Sequence, residues 1–438
     1  MNATQQSDLL RDIGRWSLVG LMLNATIGSA VFGLPSLVAQ HLGGAALWAY
    51  PIAAAGMGVI MACFAEVASR FREAGGPYLY AREAFGRFAG LQIGWLAWLV
   101  RIAAAAANAN LFVQYAAEFW PQAGHRLPRL TILVLLLGIL AIINYRGVRA
   151  GAGASNVFIV GKLIPLVLFA LIGGAFAAFG PETAPPLASR GSGADWFAVV
   201  ILLVYAYGGF EAVLIPMSEA RDPQRDAPLA LGIALASAAF LYMLVQYVVI
   251  AVLPGPESST RPLADAARVF LGAPGAALIS LGALLSVYGY FTATMLVTPR
   301  LTYAFAQAGD FPRWFAAVHP RFHTPHVSIL VFTALVFLLA VIGDFRWNLT
   351  LSAVARLFTY AAICGAVVVF RRKPSAPPAV FRLPAAWLFV AAGIAFCGIL
   401  VTRMGEGELA IIAATTTLAF IHWLVAVLFR NTPAQASR

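Results

Sequence analysis

Two of the chain's apolar segments are interrupted in the middle, and they sit five segments apart. The first reads Asn24-Ala-Thr-Ile-Gly-Ser-Ala-Val-Phe-Gly-Leu-Pro35, and the sixth reads Val204-Tyr-Ala-Tyr-Gly-Gly-Phe-Glu211. Each places glycine and polar residues where an unbroken hydrocarbon-buried helix is expected. Lipid tolerates an open backbone only where protein or a watery cavity covers it. Interruptions at corresponding places in the two halves of a many-span protein point to a solute site between them. Unwinding is expected near 26–29 and 206–209, with the two breaks facing each other.

Composition agrees with a membrane setting. Charged residues are only 11% of the chain and hydrophobic ones 61%, against roughly 25% charged in soluble domains. A span needs about 20 apolar residues, so the length allows about a dozen. They read near 16–39, 44–69, 88–118, 130–145, 154–178, 195–220, 227–252, 275–306, 326–343, 348–370, 384–402 and 409–429. No loop between them can hold a soluble domain, so one all-α integral membrane domain over 1–438 is expected. The stretches 180–194, 253–263 and 373–384 read as connectors, and Ala264–Gly272 as a short amphipathic surface helix.

Arg11 and Arg15 precede the first span, with no small-residue cleavage site after a short apolar core, so a removable signal is not expected. If the N-terminus is cytoplasmic, the even loops carry Arg70, Arg72, Arg82, Arg87, Arg146, Arg149, Arg221, Arg225, Arg300, Arg313, Arg321, Arg371, Arg372, Lys373 and Arg382. The odd loops carry fewer: Arg126, Arg129, Arg190, Arg261, Arg268, Arg346 and Arg403. The bias places both termini in the cytoplasm of a cell whose inner or plasma membrane holds the chain. The net charge of +11 thus reflects topology. No basic stripe interleaves with stacking aromatics, so nucleic acid is not an expected partner. Cys63, Cys364 and Cys397 fall within spans and suggest neither a disulfide framework nor a metal site.

Four stretches resemble the amino acid–polyamine–organocation superfamily, in this order. Ile27-Gly-Ser-Ala-Val-Phe-Gly-Leu-Pro35 resembles its first-span signature. Ala65-Glu-Val-Ala-Ser-Arg-Phe-Arg-Glu-Ala-Gly-Gly-Pro-Tyr78 with Phe85-Gly86 resembles the second-span exit. Tyr207-Gly-Gly-Phe-Glu211, Ser218-Glu-Ala-Arg-Asp-Pro223 and Pro228 resemble the sixth span and its loop. Pro299-Arg-Leu-Thr-Tyr303, Gly309-Asp-Phe-Pro312 and Thr324-Pro-His326 resemble the end of the eighth span and its loop. The resemblance implies a LeuT-type fold of about twelve helices. Five-helix inverted repeats would cover about 15–178 and 195–370, with discontinuous helices 1 and 6 and two further helices in 384–430. The first motif departs from the family's usual third glycine, since Ala30 stands there. Its methyl group narrows the approach to the exposed amides.

At the first break, Ile27, Gly28, Ser29 and Ala30 would open the helix. Free N–H groups and a positive dipole end would then face an anion such as a substrate carboxylate. The plainer alternative is close helix packing through small residues. At the second, Ala206, Tyr207 and Gly208 would leave carbonyls for an ammonium group, and the resemblance assigns Tyr205 to an aromatic that closes over the substrate. Asn108 and Asn110 in the third span, and Tyr290 and Thr294 in the eighth, either reach substrate or bond neighbouring helices. Arg101 and Arg356 need partners or water that the sequence does not name.

Lys162 is one of two lysines and lies in the fifth span, within Val160-Gly-Lys-Leu-Ile-Pro165. A charge at membrane depth costs about 2.5–3.5 kcal/mol on insertion scales. The resemblance implies a sodium surrogate, its ammonium pointing at carbonyls of Leu21–Ala25. A proton role is also open, because a buried lysine releases its proton more readily than an arginine. The alternative is snorkelling to the interface. Glu211 reads either as a proton acceptor or as a cap for freed backbone amides. His319, His323 and His326 cluster in a Pro-rich loop without an acidic ligand and read as a solvated loop.

The reading is a secondary permease for amino acids or related amines, working by alternating access. It is expected to need no sodium or cofactor, with proton coupling and exchange both open. An amine or polyamine exchanger would want more carboxylates than Glu211. A membrane-embedded enzyme or sensor would need a nucleophile–base pair, metal ligands or an output domain, and none is visible.

Overall fold

In the computed structural model the apolar segments are helices throughout, because helices satisfy every backbone group internally. The structure describes residues 13–71, 75–147, 152–180, 187–215 and 220–430. Arg11, Arg72, Arg149, Ser218 and Glu219, which the sequence analysis singled out, lie outside them. Among the described residues the extended pairings are two isolated bridges, Ile13 with Ala220 and Gly43 with Ser189.

Helices α1 (Arg15–Thr26) and α2 (Ala30–Leu42) form one span bent by 47°. Ile27 leaves helical geometry (φ −77°, ψ 79°), and Pro35 inside α2 removes a further amide donor. There follow α3 (Ala46–Ala68), α4 (Gly76–Phe85), α5 (Arg87–Ala116), α6 (Arg126–Tyr145) and α7 (Ala152–Phe179). The second half opens with α8 (Gly193–Tyr207), which Ser192 and Asp195 start with a reciprocal capping box. The α8 helix ends at Gly208, and a single turn, α9 (Phe210–Val213), follows. Between them Gly209 takes φ 102°, a region that favours glycine. A Cβ on Gly209 would also sit 2.5 Å from the Ala25 carbonyl oxygen. The two breaks therefore touch, as the sequence predicted.

The remaining helices are α10 (Pro223–Val252), α11 (Pro262–Gln307), α12 (His326–Ile342), α13 (Phe345–Arg372), α14 (Ala386–Val401) and α15 (Glu406–Arg430). Among the described residues nine helices are long and apolar enough to cross a membrane. The α1–α2 pair adds a bent span, and α12 and α14 are shorter apolar helices. This is an all-α membrane protein of the LeuT type. The expected surface helix at 264–272 is present but continues into the eighth span, with only a kink at Gly272 (φ 67°) between them. Sequence reading missed α4, although its start and stop were written in Gly76-Pro77 and Gly86.

Helix α5 packs along α13 and is buried over most of its length, so it forms part of the scaffold behind the breaks. A second anchor lies at the other end of α13. Glu66 is fully buried and accepts hydrogen bonds from Arg371 Nη2 (2.5 Å), Arg371 Nε (2.8 Å), Leu383 N (3.0 Å) and Arg70 Nη2 (3.2 Å). A buried carboxylate persists only with such pairing.

Candidate functional site

A cavity of about 520 Å3 lies between the two breaks and the faces of α5, α7, α11 and α13. It extends toward Gly75, Pro77, Tyr78, Leu301 and Phe305 near α4 and the end of α11. At that mouth Tyr78 donates to the Asp310 carboxylate. Burial, together with Asp310, pushes the Tyr78 phenol up to about 12, so it remains a donor at neutral pH. The far side is closed. Phe32, Leu34 and Tyr115 are buried there, and the Tyr115 hydroxyl donates to the Phe32 carbonyl (2.7 Å). Above them His41 links three elements. Arg346 Nη2 donates to His41 Nε2 (2.9 Å), because a guanidinium has no acceptor. That leaves His41 Nδ1–H to donate to Asp195 (2.9 Å), joining α2, α8 and α13.

At the first break the chain itself supplies donors. The first turn of α2 has no side-chain cap; Phe32 N donates to Ser29 O (3.1 Å), and the Ala30 and Val31 amides are left without acceptors among the described residues. The Ser29 hydroxyl instead donates to Asn108 Oδ1. Asn108 Nδ2 donates to the Ala104 carbonyl (2.8 Å) and the Tyr205 hydroxyl (3.1 Å). These bonds tie α2, α5 and α8 together beside the exposed turn.

The carbonyl side of that break is taken by Lys162. Its Nζ donates to Asn24 O (2.9 Å) and Ile27 O (2.7 Å). One acceptor falls within the expected stretch and the other is in the break itself. The lysine is 7% exposed and does not snorkel. The Tyr242 hydroxyl, on α10, reaches both breaks, lying 2.8 Å from Thr26 O and 3.2 Å from Ala206 O.

At the second break, Arg356 of α13 enters the space that the missing Gly208 side chain leaves. A Cβ on Gly208 would collide with its Nη1. Arg356 Nη1 lies 3.5 Å from Tyr205 O, and the guanidinium sits over the Tyr205 ring at 5.7 Å. Its Nε is 3.0 Å from Glu211 Oε1, an ion pair without hydrogen-bond alignment. The other Glu211 oxygen accepts from Gly209 N (2.9 Å) and the Tyr360 hydroxyl (3.3 Å). Glu211 thus caps the amide freed by the break, one of the two roles the sequence offered.

Gly28, Ser29, Ala30, Asn108, Lys162, Tyr205, Ala206, Gly208, Glu211 and Tyr290 all line the cavity, as do Arg101, Thr294 and Arg356. Ile27 and Tyr207 do not. Ile27 is buried and contributes only its carbonyl. Tyr207 is fully buried and donates to Tyr50 O (3.1 Å). It lies two residues beyond Tyr205, about 200° around the helix, so only one of the pair can face the cavity. By the same geometry Asn110 turns away from the cavity, and its Oδ1 accepts from Arg129. Sequence reading missed Ser286 and Thr359 among the lining residues, since a lone hydroxyl in a span carries no distinguishing pattern. Among the described residues there is no cluster of three or more metal-ligating side chains. His319 accepts the amides of Arg321 (3.1 Å) and Phe322 (3.2 Å), which makes it part of a loop turn.

The family model described as amino acid permease matches residues 13–429. An uncharacterized transporter of Mycobacterium tuberculosis is 31% identical over 81% of this chain and 79% of its own length. The methylthioribose transporter of Bacillus subtilis is 28% identical over 87% and 86%. The arginine/agmatine antiporter of Chlamydia abortus is 27% identical over 84% and 80%.

Proposed function

Because this chain belongs to the amino acid permease family, we propose that it moves α-amino acids by alternating access, without sodium and with proton coupling. The observation that carries the reading is the fixed ammonium of Lys162, held by Asn24 O and Ile27 O beside the first break. An internal cation there does what a bound metal cation would do, and leaves the site no need of one. The substrate carboxylate is assigned to the first turn of α2, where unpaired amides meet the positive end of the helix dipole. Its ammonium is assigned to the Ala206 carbonyl, which among the described residues only the neutral Tyr242 hydroxyl shares, because Arg356 already faces the Tyr205 carbonyl. Tyr290 and Tyr205 form walls, and Glu211 positions Arg356.

The inverted repeats are assigned to about 15–178 and 195–370, followed by the two helices of 384–430. The arginine distribution supports cytoplasmic termini in the cell membrane, with the cavity mouth at α4 facing the cytoplasm. The protein is then in an inward-facing state, closed outward by the Tyr115–Phe32 and His41 contacts. Proton coupling is assigned to Lys162, whose deprotonation would weaken its hold on the break. Exchange is the second reading, favoured by the similarity to the arginine/agmatine antiporter of Chlamydia abortus.

Purified protein in sealed vesicles tests this, with labelled amino acids and choline in place of sodium at two external pH values. Uptake should persist without sodium and rise with an inward proton gradient. A strict sodium requirement would overturn the surrogate role, and failure to move any amino acid would overturn the whole reading.

A further inference from the structure

The charges that line the cavity are unbalanced. Among the described residues they are Arg101, Lys162 and Arg356 against the single carboxylate of Glu211. Lys162 is held by two carbonyls and Arg356 lies against Glu211. Arg101 has neither: among the described residues no hydrogen bond or ion pair ties its guanidinium. Its electrostatic neighbours are Tyr290, Glu211 and Arg356 across the cavity. A guanidinium in a partly desolvated site, with no anion of its own, gains by pairing with an anionic group of the solute.

We propose that Arg101 receives a side-chain carboxylate, and that the substrate class is the acidic amino acids. The inference rests on the amino acid reading given above. The geometry suits it. Arg101 lies on α5 seven residues before Asn108, which is two helical turns, or about 10 Å along the same face. Asn108 stands beside the first turn of α2 through Ser29, where the α-carboxylate is assigned. An acidic side chain extended along α5 therefore runs toward Arg101, and the long arginine side chain spans the remaining gap. An amide of the same shape would fill the space without neutralising the charge. A cationic side chain would meet Arg101 and Arg356 with only Glu211 to offset them, and that acid is already engaged by Gly209 N and Tyr360. Like charges brought together in such a site are strongly disfavoured.

The test is competition by counterflow in vesicles containing the full chain. Labelled L-glutamate is challenged with unlabelled glutamate, aspartate, glutamine, asparagine, arginine and lysine. Glutamate and aspartate should compete at least about tenfold better than their amides, and the two cationic amino acids more weakly still. Within each of two variants the glutamate-to-glutamine ratio is then measured by thermal shift. It should collapse in Arg101→Gln and be partly kept in Arg101→Lys, a ratio that a merely structural role would not move. Parent protein that carries neutral or cationic amino acids without acidic preference overturns this proposal alone. Parent protein that carries no amino acid of any charge overturns it together with the reading beneath it.

Discussion

Replacing Lys162 with alanine removes both donors at the carbonyl side of the first break, Nζ to Asn24 O at 2.9 Å and to Ile27 O at 2.7 Å. A hydrogen bond from a charged group contributes about 1.5–3 kcal/mol, so the pair holds the break by about 3–6 kcal/mol. The same change relieves the insertion penalty of a lysine at depth, about 2.5–3.5 kcal/mol. The two nearly cancel for folding, so the variant should insert and purify. They do not cancel for transport, because the relief applies in every conformation while the tether joins the moving break to α7. Lys162 lines the cavity, so water can replace part of the lost bonding. Taking the lower bound of about 3 kcal/mol, uptake should fall about 100-fold at about 1.4 kcal/mol per tenfold. Methionine at the same position keeps the bulk without the charge and should fare no better. Arginine should not restore activity, since a planar guanidinium fits a two-carbonyl notch poorly and does not release its proton. The assay is initial-rate uptake in sodium-free vesicles, normalised to monodisperse protein. Near-parental uptake by Lys162→Ala would refute the tether, and loss of the variant to aggregation would refute the near-cancellation on which the estimate depends.

Three further outcomes follow from particular contacts. Gly208→Ala should drive the Arg356 guanidinium from its place against α8 and abolish substrate-induced thermal stabilisation, with the far-ultraviolet helix signal intact. Tyr242→Phe removes one hydroxyl shared by Thr26 O and Ala206 O. It should lower uptake roughly fivefold, about 1 kcal/mol for one neutral hydrogen bond, and a loss below twofold would show that the hydroxyl does not bridge the breaks. Glu66→Gln leaves Arg70 and Arg371 without their buried carboxylate. Breaking such a pair costs about 3–5 kcal/mol, so the melting temperature in detergent should drop sharply, and an unchanged melting curve would contradict the burial.

Much of the fold was legible because lipid imposes few options. Gly28-Ser29 and Gly208-Gly209 interrupt apolar runs at corresponding places in the two halves, which a pair of covered breaks explains and close packing through small residues does not require. The sequence showed Lys162 as a charge at depth that needs a partner; its direction toward the first-break carbonyls came from the family resemblance, with snorkelling as the alternative. What stayed hidden was pairing. Nothing near Arg356 in sequence announces Glu211, which comes from another span, and nothing announces that Gly208 is small to admit a guanidinium. Ile27 and Tyr207 were read into the cavity because a motif was taken as a string, whereas a helix turns each successive residue by about 100°.

The hidden pairing shows how the two breaks are built. In the proposed repeat, α7 and α13 are the fifth helices of their halves, and α1–α2 and α8–α9 the first. Lys162 of α7 donates to the carbonyls of the first break. Arg356 of α13 sits against the Tyr205 carbonyl at the second. Each half thus steadies its broken helix with a cation from its own fifth helix, although the two chemistries differ. The lysine can titrate, and it occupies carbonyls without touching the amides that an anion would use. The arginine keeps its charge and is positioned by Glu211, which also consumes the Gly209 amide. The first break pairs Gly28 N with Thr26 O (2.9 Å) and Phe32 N with Ser29 O (3.1 Å) but leaves the Ser29, Ala30 and Val31 amides open among the described residues, while the second has its donor capped and a permanent cation at its acceptor end. On this argument the first break is the better anchor for a carboxylate, and conformational coupling to protons belongs to Lys162 rather than to Arg356.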